Sequence, residues 1–277
     1  MIYIKTKEEI EAIRKGGKLL ALILKAILAE VKPGAMTADI ENLARKMMAD
    51  VGGIPAFLNY PMGDDIYFPS AVCVSINNEV VHGGALPNRE INSGDIVDLD
   101  IGMQWPIDEQ ARKKIGVKAN PHSSHGGYFT DMCATVGAGK VSQDAKKLMS
   151  VTKQCLDAAI SQAKPGNCLN DIARAVEKIA NKKNYGIVRD LVGHGVGYFA
   201  HEGPDVFNYE ISEKSKENLK LEVGMVIAIE PMINAGTYRV KVDKNNYTII
   251  TADGSLSAHF EHTVAITEDG PQILTAE

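Results

Sequence analysis

Along this chain, stretches with apolar residues at helical spacing alternate with short apolar runs of strand length. Ile10, Ile13, Leu20, Ile23, Leu24 and Ile27 recur on a helical period, behind a capping box at Thr6-Lys7-Glu8-Glu9 and ahead of the breaker Pro33-Gly34. A second helix is predicted over 37–51, closed by Gly52-Gly53. Strand-like positions follow at Val72, Val74 and Ile76, at Val80 and Val81, and over 96–101, punctuated by Asn77-Asn78 and Gly83-Gly84. The same order then recurs. Helices are predicted over 143–163, ending at Pro165-Gly166, and over 170–183. Strands are predicted at Leu191-Val192, 226–229, 247–251 and 262–267. Helix pairs ahead of sheet segments, twice over, predict an α+β protein with helices covering one face of a curved antiparallel sheet.

The recurrence extends to individual residues. Lys164-Pro165-Gly166 through Asp171-Ile172 echoes Lys32-Pro33-Gly34 through Asp39-Ile40, and Gly224-Met225-Val226-Ile227-Ala228-Ile229-Glu230 echoes Gly94-Asp95-Ile96-Val97-Asp98-Leu99-Asp100. Tyr128-Phe129-Thr130-Asp131 matches Ala258-His259-Phe260-Glu261. Asp100 therefore corresponds to Glu230, and Asp131 to Glu261. Each of these acids ends or enters an apolar run. Four carboxylates gathered in one core repel each other and lose hydration, a cost that a cation removes. The duplication thus points to a metal site on a pseudo-twofold axis.

Length and charge narrow the class. The 277 residues are expected to form a single domain (1–277), since each half supplies only part of the acid cluster. A net charge of −5 without a long run of one sign argues against nucleic acid as the main ligand. Cys73, Cys133, Cys155 and Cys168 show no CxxC spacing, which fits reduced thiols in a cytoplasmic protein. The start of the chain lacks the apolar core of a signal peptide, and the apolar stretch 19–28 is short and interrupted by Lys25, so no membrane partner is expected.

One stretch, 103–125, is polar, is broken by Pro106 and Pro121, and carries no period. It reads as an insertion looping out between Asp100 and Asp131, with Arg112, Lys113 and Lys114 as a solvated cluster and His122 and His125 as exposed loop residues. Two other histidines carry more weight. His194 lies in Gly193-His194-Gly195-Val196-Gly197, and His201 follows in Ala200-His201-Glu202-Gly203-Pro204. Imidazole among four carboxylates is a hard, oxygen-rich donor set, suited to two divalent ions (Co, Mn, Fe or Zn) rather than to a cysteine-bound structural zinc. Such pairs sit roughly 3.5–4 Å apart and lower the pKa of a shared water, so the natural reaction is attack on a carbonyl.

These motifs resemble those of the type I methionine aminopeptidases, members of the duplicated pita-bread metallopeptidases. The resemblance runs the length of the chain. It rests on Val31-Lys32-Pro33-Gly34, on Ser70 to Gly83 (SAVCVSINNEVVHG), on Gly193 to Gly197 with His201-Glu202, on Ile229-Glu230-Pro231-Met232 and on Phe260-Glu261-His262-Thr263. It implies a pseudo-twofold pita-bread fold and removal of the N-terminal methionine of nascent proteins with a small second residue. It implies Asp100, Asp131, His194, Glu230 and Glu261 as metal ligands, with Asp131 and Glu261 bridging two ions. Glu230 would also be the general base, His201 would stabilise charge on the scissile carbonyl oxygen, and His82 would contact the substrate backbone. Phe57, Tyr60, Cys73 and Tyr247 are the expected pocket residues, while Glu202 and His262 read as structural. A monomer acting on the N-termini of nascent chains, at the ribosome, is the expectation.

Three departures accompany the resemblance: the connection between Asp100 and Asp131 is lengthened, Ala200 stands where relatives often carry a large aromatic, and Val81 replaces a usual cysteine. The alternatives are an Xaa-Pro dipeptidase or aminopeptidase with the same donor set, and a non-catalytic peptide-binding relative.

Overall fold

Two helices and a small sheet build each half. The computed structural model describes residues 1–63 and 65–277. Helix α1 (Lys7–Leu28) opens with the predicted box: Glu9 N–H donates to Thr6 Oγ1 at 3.2 Å, and Thr6 N–H donates to Glu9 Oε2 at 2.8 Å. Its apolar stripe is buried with that of α2 (Thr37–Asp50) against β1 (Val72–Ile76), β2 (Ile96–Trp105) and, after the short α3 (Glu109–Ile115), β3 (Tyr128–Gly137). The second half repeats this with α4 (Gln143–Gln162) and α5 (Leu169–Ala180) over β4 (Gly193–Gly195), β5 (Glu202–Val206) and β6 (Val226–Ile229). Strands β7 (Met232–Asn234), β8 (Ser257–His259), β9 (His262–Thr267) and β10 (Gly270–Ile273) complete it.

Pairing is antiparallel in both sheets: β2 lies between β1 and β3, and β9 pairs with both β6 and β10. Alternation decides which side chains face the cleft. Val97, Leu99, Ile101 and Met103 of β2 turn toward α1 and α2, so Asp98 and Asp100 turn the other way. Two threonines latch the halves together in matching fashion. Thr263 Oγ1 accepts from Asp131 N–H at 3.0 Å and lies 2.8 Å from Asp131 O. Thr135 Oγ1 accepts from His259 N–H at 2.9 Å and lies 2.8 Å from His259 O. These pairs hold Asp131 and the segment before Glu261 at one depth.

The insertion is more ordered than its sequence pattern predicts. Strand β2 runs on to Trp105, and Gln104, only 3% exposed, donates to Gly127 O at 3.0 Å. Asp108 then caps α3, which ends at Gly116 in the left-handed region (φ 74°). This helix buries no side chain, so it leaves no apolar period to read. Arg112 is not simply solvated, since it donates to Pro106 O (3.1 Å) and His125 O (2.7 Å). His122 packs its ring against Tyr3, Tyr198 and Phe199, with centroids 5.1–5.3 Å away.

Two predicted strands also shift. Leu191 and Val192 form no strand; they line the central cavity, and pairing starts at Gly193. The strand expected over 247–251 begins only at Ile249, because Asn245 Oδ1 accepts from Tyr247 and Thr248 N–H and bends the chain there. Among the described residues, no helix is long and apolar enough to cross a membrane.

Candidate metal centre and cleft

Five of the predicted side chains converge. Asp100 comes from β2, Asp131 from β3, His194 from β4, Glu230 from the end of β6, and Glu261 from the turn between β8 and β9. Donor atoms of Asp100, Asp131 and Glu261 lie within 4.8 Å of one another, as do those of His194, Glu230 and Glu261. His194 Nε2 sits 3.4 Å from Glu230 Oε1 and 4.0 Å from Asp131 Oδ2. All five are at most 9% exposed. The local sequence makes this convergence possible. Gly195 lies so close to the neighbouring strand that a Cβ there would fall 2.1 Å from Gly203 O. Asn208 Nδ2 donates to Glu230 O at 3.0 Å and fixes the strand end that presents the carboxylate.

Burial and mutual repulsion set the protonation of this cluster. Burial, then neighbouring carboxylates, drives Asp131 and Glu261 well above the usual carboxylate range. Burial raises Asp100 to about 7, an effect that His259 opposes and Asp98 reinforces. Burial also lowers His194 to about 3. The protein alone therefore resists holding these groups charged. Buried Asp100 Oδ1, Asp131 Oδ1 and Glu261 Oε1 have no hydrogen-bond partner among the described residues. Acceptors orphaned at such cost, converging with an imidazole, fit a divalent cation.

The cluster floors a cavity of about 390 Å³. Phe57, Tyr60, Met62, Phe68 and Cys73 form its apolar wall, and His82 and His201 line it beside the cluster residues. His201 Nδ1 lies 2.8 Å from the Tyr60 hydroxyl, and its ring centroid is 4.3 Å from that of His194. Burial lowers both His82 and His201 to about 4. His82 adopts φ 59°, strained for a residue with a Cβ, and its carbonyl accepts from Thr248 Oγ1 at 3.0 Å.

Tyr247 is the exception among the expected pocket residues. It does not line the cavity; its ring packs edge-on behind Phe68 at 5.7 Å, and its backbone hydrogen-bonds His82. Its N–H donates to Asn245 Oδ1 at 3.2 Å in the bend that precedes Ile249. Glu202 holds the turn that carries His201: its Oε2 accepts from Tyr198 N–H (3.1 Å) and Phe199 N–H (3.3 Å), and Oε1 pairs with Lys5. His262 faces away from the cleft, with Nδ1 2.9 Å from Thr275 Oγ1. Two functional candidates escaped the sequence reading. Asp98 and His259 lie directly behind Glu230, and the Asp98-Leu99-Asp100 alternation was the signal for the first.

A duplicated α+β scaffold that buries carboxylates and imidazole under a peptide-sized cleft is the layout of a metallopeptidase. The chain belongs to metallopeptidase family M24, whose pattern it matches over residues 11–107 and 117–268. The break falls inside the insertion. It is 42% identical over 277 residues to the methionine aminopeptidase of Aquifex aeolicus, covering 99% of this chain and 98% of that one. Identity to the Clostridium acetobutylicum methionine aminopeptidase is 39% over 275 residues, covering 99% of each. The crystal structure of the Thermotoga maritima methionine aminopeptidase superposes with a TM-score of 0.87 at 36% identity, covering 100% of both chains. Prolidase from Pyrococcus furiosus, at 23% identity and TM-score 0.70 over 99% of this chain and 65% of that one, shares the fold.

Proposed function

We propose that this protein is a metal-dependent aminopeptidase that removes N-terminal methionine from nascent polypeptides whose second residue is small. The observation that carries this reading is the apolar pocket of Phe57, Tyr60, Met62, Phe68 and Cys73 ending on the carboxylate–imidazole floor. An unbranched thioether side chain fills such an irregular apolar wall well. Its own carbonyl then lies over the floor, which is where an exopeptidase must cut. Full-length similarity to methionine aminopeptidases at 39–42% identity supports the same substrate.

Asp100 would hold one divalent ion and His194 with Glu230 a second, with Asp131 and Glu261 shared between them; the donor groups that overlap at Glu261, and Asp131 Oδ2 lying 4.0 Å from His194 Nε2, support this division. Bound there, such ions supply Lewis acidity and bring water toward hydroxide at neutral pH. Glu230 takes the proton of the attacking water and returns it to the departing nitrogen. With the Tyr60 hydroxyl donating a hydrogen bond to His201 Nδ1, 2.8 Å away, Nε2 would carry the hydrogen and donate to the substrate carbonyl oxygen as charge develops. His82, anchored through Tyr247, contacts the substrate backbone. We take 1–277 as one catalytic domain, because the first half supplies two ligands and the second half three; a monomer is therefore complete.

The test is a cleavage profile on Met-Ala-Ser, Met-Leu-Ser and Xaa-Pro peptides, with and without added Mn, Fe, Co or Zn, for the wild type and Glu230→Gln. Methionine release from Met-Ala-Ser, absent without metal and lost in the variant, is the expected result. Preference for Xaa-Pro bonds, or unchanged turnover in the variant, would overturn the reading.

A further inference from the structure

Two buried ionisable groups lie beside the cluster without being among its five converging side chains. Asp98 is 3% exposed and His259 1% exposed. The imidazole stands between two carboxylates, with Nδ1 3.5 Å from Asp98 Oδ2 and Nε2 3.5 Å from Glu230 Oε2. Neither nitrogen has a closer hydrogen-bond partner among the described residues, and Asp98 Oδ2 has none. The backbone of His259 is pinned at both its N–H and its carbonyl by Thr135 Oγ1, which also lies 3.2 Å from Asp98 Oδ1. Strand pairing sets Met232 opposite His259 in one sheet and Thr135 opposite Asp98 in the other, so the four strands that meet here are fixed by their own ladders.

We propose that Asp98 and His259 form a brace that positions Glu230. Asp98 fixes the imidazole through Nδ1, and Nε2 holds Glu230 Oε2. Glu230 Oε1 then stays on the His194 side, 3.4 Å from its Nε2. A glutamate at a strand end has three rotatable bonds, and only one arrangement aims a single oxygen at the reaction while the other is restrained. Neighbours commonly fix the orientation of ligating carboxylates in this way, with effects on the order of 10–100-fold. The pair Asp98 and His259 also comes with Cys133, whose sulfur completes a group of donors within 4.8 Å. A cation at Asp98, Cys133 and Nδ1 would still leave Nε2–H on Glu230 Oε2, so the number of Co²⁺ ions bound separates a further ion from a brace made by protein groups alone.

The inference rests on the proposed role of Glu230, and its test keeps the two apart. His259→Ala, His259→Gln and Asp98→Asn are compared with the wild type for kcat and KM on Met-Ala-Ser, for the visible spectrum and binding stoichiometry of added Co²⁺, and for thermal midpoint. The brace requires His259→Ala to lose on the order of 100-fold in kcat with KM within about threefold, and to shift the Co²⁺ spectrum. In His259→Gln the amide N–H still reaches Glu230, so the spectrum and most of kcat return. Wild-type kcat and spectrum in His259→Ala overturn the brace. So does a kcat loss that only follows the thermal midpoint and is not rescued by glutamine, or one Co²⁺ equivalent beyond those at the cleft that disappears with His259. A wild type that neither binds Co²⁺ nor releases methionine would instead overturn the proposed function.

Discussion

Removing the charge of Glu202 is expected to cost more than any surface substitution in this molecule. The Lys5 and Glu202 side chains are each 1% exposed and in direct contact. Burial pushes the Lys5 ammonium down to about 7, with Glu9 opposing. The touching carboxylate of Glu202 and the rings of Tyr198 and Tyr3, 5.3 and 5.6 Å from Nζ, decide for a charged pair. Glu202→Gln leaves a buried ammonium without its counter-charge, a loss of about 3–5 kcal/mol. At this chain length a loss of that size lowers Tm by roughly 6–10 °C. The double variant Lys5→Met/Glu202→Gln buries no charge and should recover more than half of that drop. Because Glu202 also holds the Tyr198 and Phe199 amides just before His201, Glu202→Gln should reduce kcat/KM as well. Calorimetry at one fixed metal concentration measures the cycle. A Tm drop below about 2 °C in the single variant, or strictly additive effects in the double, would refute the reasoning.

Gly195→Ala places a Cβ 2.1 Å from Gly203 O, so β4 and β5 must part and His194 must move; metal affinity measured by calorimetric titration should fall at least about tenfold. Cys73, Cys133 and Cys155 are at most 3% exposed, and burial raises the Cys155 thiol to about 12, so a disulfide reagent at pH 8 should label only Cys168 before unfolding. Labelling of a second thiol at a comparable rate would contradict the packing. Asp253 is lowered to about 2, chiefly by the N–H of Thr237 and then by Ser255. Its folded value lies below its unfolded one, so its contribution is complete above about 4 and is lost as pH falls through about 2. A carboxyl titration by NMR with a midpoint near 3.8 would show that these hydrogen bonds are not made.

Periodicity and the internal echo were enough to read both helix pairs, the strands that carry Asp100 and Glu230, and the pairing of acids between halves. Helices and central strands announce themselves because burial of one face imposes a period. The helix α3 does not, because it buries nothing, and its order comes from Asp108, Gly116 and the carbonyls that Arg112 reaches. Tyr247 shows the same limit at the cleft: its residue type suits a pocket wall, but a bend made by the Asn245 side chain turns it behind Phe68.

The sequence by itself determined the duplicated α+β plan and named the five ligand candidates, because the echo between halves pairs Asp100 with Glu230 and Asp131 with Glu261, the glycine-rich turn marks His194, and the family resemblance implies the set. Tertiary structure alone decided that Asp98 and His259 stand behind Glu230, and that Lys5, near the start of the chain, neutralises Glu202 in the second half. Such contacts join residues 29 to 197 positions apart, and they depend on how two sheets close on each other rather than on any local pattern.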